Sequence, residues 1–255
     1  MILFFDTETT GLSPGRIIQL SYVMQSSKNV KTKNFFFYVD YVEPSAVAVH
    51  GFTPEKLFVL SNGHTFSTDI EEIYDVFLRA DVIIAHNLSF DLKFMIAEFA
   101  YHDRQFRYRE GICSMRYFTD IIKIPRENGK GYKYPKLTEF SKYYDLYPYD
   151  VTMETAKLFG LYGQSHDARY DTAELYLEFN RAAKYRLFGI GYFVKPFASH
   201  LRKPHFERLR FRRRNRLHKP QNAFRIKTIG FTHFTVGSLH FQPVTICHDF
   251  ASFVF

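Results

Sequence analysis

The 255-residue chain is predicted to adopt an α/β fold in which helices flank a mixed five-stranded sheet and a basic, Phe-rich extension follows. Three apolar strand candidates come in close succession near the N terminus, which favours antiparallel neighbours. Further along, short apolar strands alternate with segments of helical periodicity, which is typical of strands covered by helices. The balance of charge changes sharply near residue 185, where we place a domain boundary.

The predicted elements follow from periodicity and from turn and capping residues. The strand candidates are apolar or rich in aromatic and β-branched residues, and they cover residues 1–6, 17–24, 34–41, 81–86 and 112–115. The helix candidates are residues 44–50, a segment beginning at 53–55, and residues 67–79, 87–100, 136–144 and 167–184. A Gly-, Lys- and Tyr-rich segment, residues 126–135, is predicted to be a loop.

The C-terminal extension, residues 186–255, carries 13 Lys and Arg against Glu207 and Asp249, whereas residues 1–185 carry 21 basic and 24 acidic residues. It also contains 12 Phe. One interpretation is an arm that follows a phosphate backbone and stacks bases on Phe or Arg. The alternative is a poorly ordered extension whose charge keeps the chain in solution.

Composition excludes several classes of protein. With 46% hydrophobic and 24% charged residues, the chain is neither collagen-like nor wholly disordered. No apolar run is long enough to suggest a membrane span, and no signal peptide is recognised, so we expect no membrane partner. Two cysteines are too few for a secreted disulfide scaffold, and a cytoplasmic location is expected.

Four acidic residues lie where strands end or helices begin. Asp6 and Glu8 follow the most apolar strand candidate, and strand alternation places their side chains on the same face. Such a pair is expected either to bind a metal ion or to form a solvated strand end. Asp91 and Asp171, each unremarkable alone, lie near the starts of two helices that a mixed sheet would bring to the same edge.

Three segments together resemble a known family. Residues 5–11 (FDTETTG), 86–91 (HNLSFD) and 166–171 (HDARYD) resemble the three motifs of the DEDDh, proofreading-subunit-like 3′–5′ exonucleases of the ribonuclease H-like superfamily. The resemblance covers about residues 1–182, and residues 49–53 (VHGFT) resemble a further segment of the bacterial proofreading subunits, which have Ile in place of Phe52. We know no counterpart for the extension.

The resemblance implies the site residues. Asp6, Glu8, Asp91 and Asp171 would hold two Mg²⁺ or Mn²⁺ ions, and oxygen ligands agree with these hard cations. His166 would act as the general base, from a loop before the last helix. Substrate-binding residues would be the backbone at Thr7 and Thr9 and the side chains of Leu12, Val49, His50 and Phe90, although the apolar residues among them are equally suited to the core.

The expected function is metal-dependent release of 5′ mononucleotides from the 3′ end of single-stranded or frayed DNA. Two alternatives remain: trimming of RNA by the same site, and a non-catalytic nucleic-acid-binding accessory subunit. Candidate partners are DNA or RNA 3′ ends and a polymerase or other repair or replication protein. The basic loop around Lys130 and Tyr132 is interpreted either as a grip on the upstream strand or as a surface loop held by its own tyrosines.

Overall fold

The computed structural model describes residues 1–12 and 15–184, and the predicted C-terminal extension lies outside these residues. The five strands are β1 (Ile2–Thr9), β2 (Ile17–Gln25), β3 (Val30–Phe36), β4 (Val82–Ala85) and β5 (Gly111–Cys113). The helices are α1 (Pro44–His50), α2 (Pro54–Ser61), α3 (Phe66–Arg79), α4 (Leu88–Tyr101), α5 (Ser114–Ile122), α6 (Leu137–Tyr143), α7 (Pro148–Phe159) and α8 (Ala168–Lys184). None of the described helices is long and apolar enough to cross a membrane.

The strands form one sheet in the order β3-β2-β1-β4-β5. The three N-terminal strands pair antiparallel, and β4 and β5 are added parallel to β1. The predicted mixed five-stranded sheet is therefore confirmed. The parallel pairing of β1 with β4 ends at Phe4, so the second half of β1 continues past its neighbour on that side.

Each face of the sheet is covered by a different set of helices, because successive side chains of a strand point to opposite faces. Leu3 and Phe5 pack with residues of α3 and α4 in one core. Ile2 and Phe4 pack with residues of α5, α6 and α8 in a second core. A smaller apolar cluster lies under α1 and α2 and includes Ile18, Phe52 and Leu57.

Turn and capping residues set the helix boundaries near their predicted positions. Thr53 accepts a hydrogen bond from the Lys56 amide at the start of α2, and Pro54 occupies the first turn. Gly51 ends α1 in the left-handed conformation, with φ of 73°, which glycine adopts without strain. These short signals explain why the sequence located both helices.

The structure corrects several predicted boundaries. The third strand was expected at residues 34–41 but runs from Val30 to Phe36, because its first half is a polar edge strand with an exposed Lys31. The chain leaves β5 at Cys113 and begins α5 at Ser114, one to two residues before the predicted strand end. Helices α5 and α7 were not predicted.

Candidate active site

The alternation along β1 places acidic and hydroxyl side chains on different faces. Asp6 and Glu8 continue the row of Ile2 and Phe4, which faces α8, whereas Thr7 continues the row that faces α4. The strand is interior to the sheet, and its pairing with β2 extends through Glu8, opposite Gln19. Two carboxylates are thereby held beside each other at the end of a buried strand.

The first turn of α8 brings a third carboxylate to the same place. Asp6, Glu8 and Asp171 each offer one oxygen, and these oxygens all lie within 4.8 Å of one another. All three residues are partly buried. Oxygen ligands at this spacing match the donor set that Mg²⁺ or Mn²⁺ prefers, so the residues present fit a divalent cation.

Asp91 approaches from the opposite face of the sheet. It lies in the first turn of α4, is 3% exposed, and accepts a hydrogen bond from Thr7 Oγ1 at 2.8 Å. Asp91 is outside the three-residue group, yet its charge is the largest charge acting on Asp6. The charges of all three other acids therefore act on Asp6.

The electrostatics of the four acids favour a bound cation. Burial raises the pKa of Asp6 well above its ordinary range, and the charges of Asp91, Asp171 and Glu8 raise it further. Burial is also the main cause that raises the pKa of Glu8 to about 8, of Asp91 to about 7 and of Asp171 to about 8. Crowded carboxylates of this kind hold protons at neutral pH unless positive charge replaces them.

A polar network fixes the start of α8, which carries Asp171. Asp167 accepts hydrogen bonds from Gln19 Nε2 at 2.9 Å and from the Arg169 amide at 3.0 Å, and it forms an ion pair with the Arg169 guanidinium. Gln19 Oε1 in turn accepts from the Ala168 amide at 3.1 Å. Burial tends to raise the pKa of Asp167, but the hydrogen bonds from Arg169 and Gln19 outweigh it and lower that pKa.

His166 lies in the turn before α8, where the sequence analysis expected it. Its side chain is exposed, and its backbone adopts a left-handed conformation with φ of 65°, which is uncommon for residues other than glycine. In this conformation the His166 amide donates to Asp171 Oδ2 at 3.2 Å. The turn thus ties the backbone of His166 to an acid of the site.

His50 is buried and links the end of β1 to the segment that follows α1 through two hydrogen bonds. Its Nε2 lies 3.2 Å from the Thr9 carbonyl oxygen, and its Nδ1 accepts from the Phe52 amide at 3.0 Å. The ring therefore donates through Nε2 to Thr9. Burial lowers the pKa of His50, and the nearby His166 contributes to the same direction.

The other predicted substrate-binding residues differ in exposure and in their partners. Leu12 is 75% exposed and Val49 is 54% exposed, so both present apolar surface to solvent. Phe90 is half-buried against Phe94, with ring centroids 4.9 Å apart. The Thr9 hydroxyl donates to the Gly11 carbonyl at 2.9 Å, and the Thr7 hydroxyl is used by Asp91, so both hydroxyls have internal partners.

Two sets of residues near the site were missed by sequence reasoning. Asp167 stands beside His166 in the third motif, and an Asp at a helix start two residues before a capped amide is a recognisable signal. Glu174 and Glu178 gave no such signal: both are buried on α8 and both lie within hydrogen-bond distance of the Ser141 hydroxyl on α6, at 2.7 and 2.9 Å. Only the packing of α6 on α8 brings these three together.

A mixed sheet of this order, with carboxylates contributed by β1, α4 and α8, defines the class of ribonuclease H-like metal-dependent hydrolases. The chain belongs to the exonuclease family, because the RNase_T exonuclease family model matches residues 3–179. This membership confirms the resemblance to the DEDDh 3′–5′ exonucleases, which hydrolyse phosphodiester bonds.

Similar proteins support the same family. The chain is 28% identical over 135 residues to the DNA polymerase III subunit epsilon of Escherichia coli (49% of this chain, 53% of the relative). It is 32% identical over 99 residues to the subunit of the same name from Rickettsia felis (36% of this chain, 42% of the relative). The matches thus span about half the length of these relatives or less.

A solved structure shares the fold. The metal-free form of the E. coli ExoI–ssDNA complex matches with a TM-score of 0.52 and 19% identity, over 73% of this chain and 40% of that chain.

Proposed function

We propose that this protein is a metal-dependent 3′–5′ exonuclease that releases 5′ mononucleotides from the 3′ ends of single-stranded or frayed DNA. The observation that carries the proposal is the convergence of Asp6, Glu8 and Asp171 within 4.8 Å, with Asp91 beside them, in a chain of the exonuclease family. DNA is favoured over RNA because the matched relatives are DNA polymerase III subunits and the matched solved structure is an ExoI–ssDNA complex.

The four acids would hold two Mg²⁺ or Mn²⁺ ions. When bound, such ions supply a deprotonated water and stabilise negative charge on the phosphate and on the leaving oxygen. The arrangement of the acids supports this assignment: Asp6 interacts with the acids on both sides, whereas Glu8 and Asp171 approach from one side and Asp91 from the other.

Residues of the chain have distinct tasks in the proposed reaction. Thr7 orients the Asp91 carboxylate through its hydroxyl. His166 is the general base, because its exposed imidazole belongs to the turn whose backbone amide donates to Asp171, and imidazole is the side chain that most often takes a proton in general base catalysis. The hydrogen bond from its amide to Asp171 ties the backbone of His166 to the site, while its side chain remains exposed to solvent.

The chain end would be recognised by surface around the end of β1. Leu12, Val49 and Phe90 offer apolar contacts for the terminal bases, and the backbone at Thr7 and Thr9 lies near the acids. His50 supports this surface from beneath by holding the Thr9 carbonyl. Apolar contacts of this kind do not read base edges, so cleavage is expected to be independent of sequence.

The test is digestion of matched DNA and RNA oligonucleotides with Mg²⁺ or Mn²⁺ and, as a control, with EDTA. A 3′-labelled strand should release labelled mononucleotide at once, while a 5′-labelled strand should give a ladder. Faster cleavage of the RNA oligonucleotide than of the matched DNA would identify RNA as the substrate instead of DNA. Binding without metal-dependent cleavage would identify a non-catalytic accessory subunit and overturn the enzyme assignment.

Partner and location are part of the same proposal. The relatives named as polymerase subunits support a polymerase or another replication or repair protein as a partner, with residues 186–255 as the segment available for it. A cytoplasmic location is proposed from the low cysteine content.

A further inference from the structure

A basic hairpin, residues 123–136, connects α5 to α6 and differs in charge from the rest of its domain. It carries five cations against one acid, and the cations are Lys123, Arg126, Lys130, Lys133 and Lys136. The remainder of residues 1–185 has 16 Lys and Arg against 23 Asp and Glu. The positive charge is therefore concentrated on this segment.

The backbone of the basic hairpin has a defined shape. Pro125 and Tyr132 form an antiparallel bridge, and the Lys133 amide donates to the Ile124 carbonyl at 2.9 Å. Closer to the tip, the Arg126 amide donates to the Gly131 carbonyl at 3.1 Å, and Arg126 Nε donates to the Tyr132 carbonyl at 3.0 Å. The turn thus projects Lys130 into solvent from a hydrogen-bonded base.

The C-terminal end of the basic hairpin is fastened to the residue that follows β4. Pro135 is buried, and its carbonyl interacts with the ring of His86, whose Nδ1 lies 2.8 Å from Ser114 Oγ. His86 directly follows β4 and precedes Asp91 by five residues.

A second attachment leads to the other side of the site. Helix α6 begins immediately after the basic hairpin, and its Ser141 hydroxyl contacts Glu174 at 2.7 Å. Glu174 lies about one helical turn from Asp171 on α8. The hairpin is therefore connected to both helices that supply carboxylates from outside β1.

The side chains of the basic hairpin suit a nucleic-acid strand. Tyr132 is 39% exposed, with Lys123 Nζ 5.8 Å from its ring centroid, and Tyr134 is 50% exposed, so each ring offers surface for stacking on bases. Lys130 and Lys136 are exposed cations for phosphates, whereas Lys133 is paired with Glu139 at 2.5 Å. Aromatic rings that alternate with lysines match the bases and phosphates of a nucleic-acid strand better than they match a protein surface or an anionic small molecule.

We infer that the basic hairpin binds the single strand upstream of the 3′ end, with Lys130 and Lys136 on phosphates and Tyr132 and Tyr134 on bases. This inference rests on the proposed function, since it assigns the occupant of a surface that is connected to the helices of the proposed site. It predicts that the basic hairpin does not affect the cleavage of a substrate that is too short to reach it.

The test compares the full-length double variant Lys130→Gln/Lys136→Gln with Lys28→Gln/Lys31→Gln. Both lysines are exposed: Lys28 lies in the turn between β2 and β3, and Lys31 lies on β3, the edge strand on the far side of the sheet from β5. Affinity for a fluorescent single-stranded oligonucleotide is measured by anisotropy in EDTA over a range of salt. Cleavage of the oligonucleotide and of a dinucleotide is measured with Mg²⁺.

The hairpin variant is expected to bind the oligonucleotide about tenfold more weakly at low salt, with a log–log salt slope shallower by about 1.4 for two lost contacts. KM for the oligonucleotide should rise, while dinucleotide cleavage stays unchanged. Tyr132→Leu should also weaken binding, without changing the salt slope. Binding and slope equal to those of the control variant would overturn the inference.

The two proposals fail in different ways. If no variant and no metal gives cleavage, the proposed function is wrong, but anisotropy still reports whether the basic hairpin binds a strand. If the wild-type protein cleaves and the hairpin variant matches the control in KM and binding, only the inference is wrong.

Discussion

At the scale of single residues, the site holds several carboxylates close together in a buried position, where their negative charges repel one another. Asp6 is the carboxylate on which the other three acids act, and burial and those charges both raise its pKa. The energy stored in this crowding is released when a cation binds or when one carboxylate is removed. Stability and activity therefore depend in opposite ways on the same side chain.

The substitution Asp6→Asn tests this conflict. Activity should fall more than about 100-fold, because the proposed function makes Asp6 a metal ligand. The melting temperature of the protein in EDTA should rise by roughly 2–4 °C, since relief of repulsion is worth about 1 kcal/mol. Nuclease assays and thermal melts measure both effects, and Asp120→Asn on the exposed face of α5 is the matched control. A variant that loses activity and stability together would contradict the argument.

Thr7 offers a second test at this scale. Thr7→Val removes the hydroxyl that donates to Asp91 at 2.8 Å while keeping the shape of the side chain. Because Asp91 is a proposed metal ligand, we expect kcat to fall about 10- to 100-fold with little change in KM, the usual cost of losing a hydrogen-bond partner of such a ligand. Thr7→Ser should restore most of the rate. Equal loss in the Ser and Val variants would mean that the hydroxyl is not what matters.

At the scale of elements, α8 is positioned by polar contacts at its start as well as by its apolar face. Gln19 on β2 and Arg169 on α8 meet at Asp167, which is buried. The sequence predicted this helix within one residue but not the contact to β2, because Gln19 and Asp167 are far apart in the chain. Periodicity and motifs describe residues that are close in the chain, so neither could reveal a contact between residues so far apart.

Replacement of Asp167 by Ala should leave Arg169 without its partner and Gln19 with one contact fewer. We expect unfolding to become easier by about 3 kcal/mol, measured as a lower urea midpoint. Metal affinity should also fall, because Asp171 is carried by the same helical turn. Asp167→Asn, which keeps an acceptor for the Arg169 amide, should cost less; an Asn variant as unstable as the Ala variant would count against this account.

The accuracy of the sequence predictions varies with the type of element. Helices with clear caps and strands with continuous apolar runs were located within a few residues, as for α1 and β4. The edge strand β3 was displaced by four residues at its start, since its polar residues are stabilised by pairing with β2. Helix α7 was missed although its N terminus has Pro148 and a capping box from Asp150, because Tyr and Thr interrupt its apolar pattern.

For the site itself, the motifs led to the four acids and His166, and the structure brings three of the acids into one group with Asp91 alongside. The sequence did not show that the acids approach β1 from opposite faces of the sheet. The position of Asp91 behind Thr7 follows from β1 lying between α4 and α8, which is a property of the assembled sheet.

At the scale of the whole molecule, the acids make stability depend on pH and metal. The folded-state pKa values of Glu8, Asp91 and Asp171 lie above the ordinary carboxyl values of 3.8 to 4.5. The folded protein thus keeps protons that the unfolded chain has released, and the stability this contributes is lost as pH rises from about 4 to about 8.

In EDTA, the melting temperature should accordingly decline between pH 5 and pH 8. Saturating Mg²⁺ or Mn²⁺ should raise it by ~5–10 °C at pH 8 and by less at pH 5, where protons compete for the same oxygens. Thermal melts across pH with and without metal measure this. A metal effect that is equal at both pH values would show that the cation binds elsewhere.

Removal of residues 186–255 tests the basic extension. If it is an arm on phosphates, the truncated protein should keep its rate on saturating substrate but bind strands more weakly, with a shallower dependence on salt. The truncation eliminates 13 basic and two acidic residues, so the change in slope should exceed that of any double substitution. An unaltered slope would exclude the arm and leave the basic hairpin as the charged surface to examine.

The central place of β1 also bears on how this protein can change over time. Its neighbours β2 and β4 both rely on it for pairing, and the segment that bears Asp6 and Glu8 is the direct continuation of that pairing. A substitution that shifts the backbone there would disturb both the pairing of the sheet and the positions of the acids. We therefore expect sequence variation to accumulate in peripheral turns and to be rare in this strand, including its apolar positions.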